Sequence, residues 1–118
     1  GILSSVVLAS LNTARSKGND AAVKSQMSSI RAQAEIVYDN DGDYDAVCAD
    51  AQIVALLAAS ATQSGGATVC NDAVGAYAAS SALKTAGSFW CVDSTGTAVE
   101  VIAASHLLAH PDSDTTCN

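Results

Sequence analysis

Across 118 residues the chain carries twelve Asp and Glu against five Lys and Arg, a net charge of −7. A surface so acidic argues against nucleic acid as a partner, because duplex binding depends on Lys and Arg neutralising phosphates. The length fits one domain, and with only five aromatic residues (one Trp, one Phe, three Tyr) its core must be built largely from small side chains.

Residues 1–38 read as a helix with two halves. In Gly1 to Leu11 (GILSSVVLASL) the apolar residues Ile2, Leu3, Val6, Val7, Leu8 and Leu11 are distributed all round. Such a helix is buried in protein or in lipid, and at a chain end its expected cover is a membrane or other subunits. An apolar run of about eleven residues falls short of the ~20 needed to span a bilayer. Beginning at Gly1 with no Met and no signal peptide, the chain reads as a mature, truncated or otherwise incomplete form. The polar segment NTARSKGND follows, and Gly18, a poor helix former, is succeeded by Asn19 and by Asp20 as a potential cap. A kink or a melted turn is expected there. Arg15, Lys17, Lys24 and Arg31 gather on this helix, where they would serve acidic neighbouring subunits or phospholipid headgroups.

Beyond the break, Val23, Met27, Ile30, Ala34 and Val37 recur at intervals of four, three, four and three. That stripe requires a core to lie against. The expected organisation is a single domain over 1–118, with residues 1–20 protruding and 21–118 forming the globular head. The turn-forming cluster Asp39-Asn40-Asp41-Gly42-Asp43 ends the helix.

Residues 50–62 suit a short second helix, with Asp50 as N-cap and Ile53, Leu56 and Leu57 inward, and 63–67 is a Gly-rich turn. Strand texture follows over 68–74, 76–83 and, most strongly, Ser88 to Asp93 (SFWCVD). Ser94-Thr95-Gly96 turns the chain back into Thr97 to Ile102, making a hairpin. A helix-like HLLAH, Pro111 and a polar stretch close the chain. One long helix followed by consecutive strands is an α+β pattern: a long N-terminal helix packed on an antiparallel sheet, with a short second helix. One sheet face would receive the stripe and the other would meet solvent or a neighbour.

The four cysteines, Cys48, Cys70, Cys91 and Cys117, are widely spaced and include no CxxC. That pattern favours two disulfides over a zinc cage, and hence an exported protein in an oxidising compartment. Of three connectivities, Cys48–Cys70 with Cys91–Cys117 is preferred. The first pair brackets the short helix, and the second would pin a tail with no strong element of its own.

Catalytic motifs are missing: there is no G-x-S-x-G, no Gly-rich phosphate loop and no H-E-x-x-H. No enzyme activity and no cofactor are expected. His106 and His110, four apart, would share a helix face and need a third metal ligand such as Asp112, so an exposed polar pair is the simpler account. Asp39, Asp41, Asp43 and Asp45 alternate like the start of a calcium loop. Gly42 stands too early and no Glu occupies the twelfth position, so a solvated, helix-ending turn accounts for them and no metal is expected.

Residues 1–48, from GILSSVVLASLNTARSKGND through Tyr38-Asp-Asn-Asp-Gly-Asp-Tyr44 to Cys48, resemble the N-terminal helix of bacterial type IV pilins and the related pseudopilins. Phe89 to Gly96 (FWCVDSTG) resembles the late hairpin of pilins whose last cysteine closes a C-terminal disulfide loop. The family's first half-segment, with its methylated Phe and a glutamate, is absent, and Ala49 to Ser88 is generic. The resemblance implies a pilin-like fold and a structural subunit that polymerises into a cell-surface filament for adhesion, motility or uptake. Ile2, Leu3, Val6, Val7 and Leu11 would then pack around the filament axis. The implied partners are identical subunits in a helical homopolymer, the pilus assembly machinery and, before assembly, the inner membrane. The implied location is an extracellular surface filament. The alternatives are a pseudopilin of a type II secretion system and a secreted binding module whose first helix packs internally.

Overall fold

The structure, a computed structural model, describes residues 2–102 and 115–117, with side chains from residue 7 onward. Helix α1 runs from Ile2 to Asp41 and α2 from Ala51 to Ser64, with a short 3-10 turn, Val47 to Ala49, between them. Four strands follow: β1 (Thr68–Asp72), β2 (Tyr77–Ala82), β3 (Ser88–Asp93) and β4 (Ala98–Ile102). They pair antiparallel in sequence order. The architecture is therefore α+β, a long N-terminal helix and a short second one against a four-stranded antiparallel sheet.

The stripe on α1 forms the centre of the core. Val23, Met27, Ile30 and Ala34 are fully buried and Val37 nearly so, packed with Ile53 and Leu57 of α2 and with Tyr77, Ala79 and Val92 of the sheet. Each fully buried Val, Ile or Met side chain contributes ~1.5–3 kcal/mol. α1 is helical without a break through Gly18 to Asp20, so the melted turn expected from the glycine does not form. A helix glycine costs only about 1 kcal/mol, and the Asp20 carboxylate is engaged with another part of the fold rather than with a new helix start. The helix also runs three residues past Tyr38. Gly42, at φ +82, then donates its N–H to the Tyr38 carbonyl at 2.7 Å, a left-handed helix end.

Helix α2 begins as expected, with Asp50 Oδ1 accepting the N–H groups of Gln52 and Ile53 at 3.0 and 3.1 Å. It extends two residues beyond the expected end and stops at Gly65, φ +72. Its buried stripe is Ile53, Leu57, Ser60 and Ser64, while Leu56 is half-buried. Ser60 enters the core because its hydroxyl donates to Gln26 of α1 at 3.0 Å.

The strands are shorter than their sequence texture by one or two residues, except β3, which matches. β2 (YAASSA) is buried at every position. Its alternation sends Tyr77, Ala79 and Ser81 toward the helices, and in register Val92 and Trp90 of β3 stand beside them. The other sheet face does not simply meet solvent: Ala78, Cys91 and Cys117 form a second small cluster there, flanked by Val69 and Val101. Disulfides join Cys48 to Cys70 and Cys91 to Cys117. The first ties the 3-10 turn to β1, and the second ties the chain end to β3. The expected helix-like tail, with His106, His110 and Asp112, lies outside the described residues.

Candidate assembly surface

Helix α1 leaves the domain at Asp20. There Oδ1 accepts the Lys84 N–H and Oδ2 accepts the Thr85 hydroxyl at 2.7 Å, stapling the helix to the loop between β2 and β3. The first fully buried α1 side chain among those described is Val23. Val7 lies sixteen residues earlier, about 24 Å along the axis. Over this span the helix stays apolar in part yet finds no cover: Val7, Leu8 and Leu11 are 57, 61 and 48 % exposed. The side chains of Ile2, Leu3 and Val6, expected to act with them, lie outside the described residues. No helix among the described residues is long and apolar enough to cross a membrane.

The face of α1 turned away from the sheet is uncharged along most of its length. Val7, Leu11, Ala14 and Gly18, then Ser25, Ser29, Ala32 and Ile36, repeat at helical spacing and are all exposed. This line lies roughly 140° round the helix from the core stripe, at 3.6 residues per turn. A Cβ added at Gly18 would meet nothing within 4 Å, so the domain's own packing gives no reason for a glycine there.

Charged groups divide into those the fold uses and those it does not. Lys24 Nζ sits 4.8 Å from the Trp90 ring centroid, a cation–π contact that fastens α1 to β3. Arg31 donates to the Gly96 carbonyl at 3.3 Å. Asp50 caps α2, Asp72 accepts the Cys48 N–H at 2.7 Å, and Glu35 accepts the Tyr44 hydroxyl at 2.9 Å. By contrast Arg15 and Lys17 are exposed and are not paired among the described residues. Asp39, Asp41 and Asp45 are likewise exposed, and Asp43 only accepts the Asp45 N–H at 3.1 Å. These four acids do not form a metal cage: among the described residues no group of three or more His, Cys, Asp or Glu is arranged to hold an ion. Asp39 and Asp41 fall in the last turn of α1, where the helix dipole is negative and carboxylates are disfavoured.

Between α1 and the β3–β4 turn lies a polar cleft of about 260 Å³, lined by Ser28, Arg31, Glu35, Tyr77, Asp93 and Ser94. Burial, reinforced by the Glu35 charge and partly offset by Arg31, pushes the Tyr77 phenol up to about 12. The phenol therefore remains a neutral donor over the ordinary pH range. Burial also opposes ionisation of Asp93, but hydrogen bonds from the Thr95 hydroxyl and the N–H groups of Cys117, Thr97 and Thr95 outweigh it and hold the carboxyl below its usual value. Tyr44, its ring 5.2 Å from that of Tyr77, is raised by burial and then by its bond to Glu35. The cleft can hold water or a small polar solute.

Two residues organise this surface in roles that spacing does not give. Asp93 looked like the end of a strand. The signal that would have found it is the sequence Asp93-Ser-Thr-Gly-Thr97, an acid followed at two and four residues by turn N–H donors. Asp20 reads locally as a helix cap, and its role as a staple has no local signal because its partners are 64 and 65 residues away. Compared with protein-family models, with curated proteins and with solved structures, the chain matched none.

Proposed function

We propose that this protein is a structural subunit that polymerises through its N-terminal helix into a cell-surface filament of the type IV pilus kind, serving adhesion, motility or uptake. The observation that carries the proposal is the exposure of Val7, Leu8 and Leu11 on a helix stretch beyond the reach of its own core. Burying each of these against neighbouring copies would contribute up to ~1.5–3 kcal/mol, and a head-to-tail contact that does not close generates a fibre. Two disulfides fit assembly in an oxidising compartment outside the cytoplasm. Before assembly the same apolar segment would sit at the inner membrane, awaiting the assembly machinery.

The test is truncation. Removing residues 1–11 should leave the melting temperature of the remaining domain within about a degree of the parent and abolish filaments on the producing cell, seen by electron microscopy. A fall of many degrees would mean that the segment packs inside its own molecule, and the polymer account would be wrong.

A further inference from the structure

Resting on that filament reading, we infer that one subunit's Arg15 and Lys17 pair with the acidic end of a neighbour's α1, at Asp39 and Asp41, and so set the axial stagger between copies. The charges used inside the fold are distributed over its surface, as described above. On α1 itself, among the described residues, those left unpaired separate by sign: the cations Arg15 and Lys17 stand on its projecting half and the acids Asp39 and Asp41 at its far end. Both stand on the same helix, twenty-four residues apart in each case, since 15 pairs with 39 and 17 with 41. At 1.5 Å per residue the two groups are about 36 Å apart. A long, unbroken helix holds them there, so no motion of one monomer brings them together.

A second copy slid by that distance along the axis does bring them together. It also supplies what the end of α1 lacks. The last turn carries no basic residue, although its free carbonyls and two carboxylates all favour a cation. Between the two charged zones runs the uncharged line through Gly18, Ser25, Ser29 and Ala32, over which backbones can approach closely. The occupant of this face is thus another copy of the chain. Its charge pattern is complementary to itself only when shifted, and a shifted contact continues along an axis without closing.

Two experiments on filaments from cells producing the full chain test the pairing. Treatment with a zero-length carbodiimide should join Lys17 to Asp39 or Asp41, identified by mass spectrometry. Within one subunit that link is too long to form, so any such peptide is intermolecular. Finding Lys17 joined only to other acids, or to none, would overturn the pairing. Arg15→Glu with Lys17→Glu should cut sheared filament mass about tenfold, and adding Asp39→Lys with Asp41→Lys should restore it. The melting temperature of the soluble chain, unchanged in all variants, separates these losses from misfolding. Wild-type-like filaments from the first variant would overturn the pairing and leave the polymer account standing. A wild-type chain that never forms filaments overturns both. If the reversed variant instead loses only binding to phosphatidylglycerol vesicles, the basic pair serves headgroups and the inference fails.

Discussion

Asp93 Oδ2 accepts the backbone N–H of Cys117 at 2.8 Å, and Cys117 is disulfide-bonded to Cys91, two residues before Asp93 on β3. The chain end is thus held by a covalent bond and a charge-assisted hydrogen bond from the same strand. Oδ1 meanwhile gathers the Thr95 hydroxyl at 2.6 Å and the N–H groups of Thr95 and Thr97 at 2.9 and 3.2 Å. One buried carboxylate, 2 % exposed, organises both the hairpin turn and the tail. Asp93→Asn places an N–H₂ where an acceptor is needed and should cost about 1–3 kcal/mol, read from urea unfolding.

The same residue makes stability depend on acid. Its folded value lies below the ordinary 3.8, so its contribution is complete above that ordinary value and is lost as pH falls through the lower folded one. Unfolding midpoints measured from pH 5 downward should fall in the parent, and the fall should be shallower in the Asp93→Asn protein.

At the alkaline side the group to watch is Tyr77. Its value, raised to about 12, means that its contribution is intact below the ordinary value of 10.0 and disappears as pH rises through 12. Tyr77→Phe should change stability at pH 7 by no more than about 1 kcal/mol while flattening the loss between pH 10 and 12. Fluorescence-detected denaturation across that range checks it.

Asp20→Ala removes the two hydrogen bonds to Lys84 and Thr85 that fasten α1 where it leaves the domain. The expected cost is about 1–2 kcal/mol. Hydrogen exchange should show that the loss is local: amides of the loop after β2 open faster, while those around Met27 and Ile30 stay protected.

Two glycines make opposite predictions. A Cβ at Gly66 would stand 2.5 Å from the Ala82 Cβ, so Gly66→Ala should destabilise by about 1–3 kcal/mol through overpacking. Gly18 has open space and helical geometry, so Gly18→Ala should stabilise the isolated chain by up to about 1 kcal/mol. Thermal unfolding of both variants distinguishes them. If Gly18 sits at a close contact between copies, the alanine variant should also form fewer filaments despite its higher melting temperature.

Local chemistry made much of this molecule legible. The stripe Val23, Met27, Ile30, Ala34 and Val37 specified both a helix and its buried face, because a 3.6-residue period admits one apolar side. Asp50 announced the start of α2, and the β-branched and aromatic residues of Ser88 to Asp93 announced β3. Each of these signals acts between residues a few positions apart. β2 was harder to read, since YAASSA has weak strand propensity and owes its burial to layers on both faces.

What composition and spacing determined by themselves was the α+β class, the buried stripe, the apolar character of the chain's first helix half and the preference for two disulfides. What only the tertiary structure decided was the continuity of α1 through Gly18, the engagement of Asp20 with Lys84 and Thr85, and the anchoring of Cys117 on Asp93. The physical reason is range. Periodicity and capping are set within one or two helical turns, whereas a carboxylate chooses among donors brought near only when the whole chain has folded, here 24 to 65 residues away.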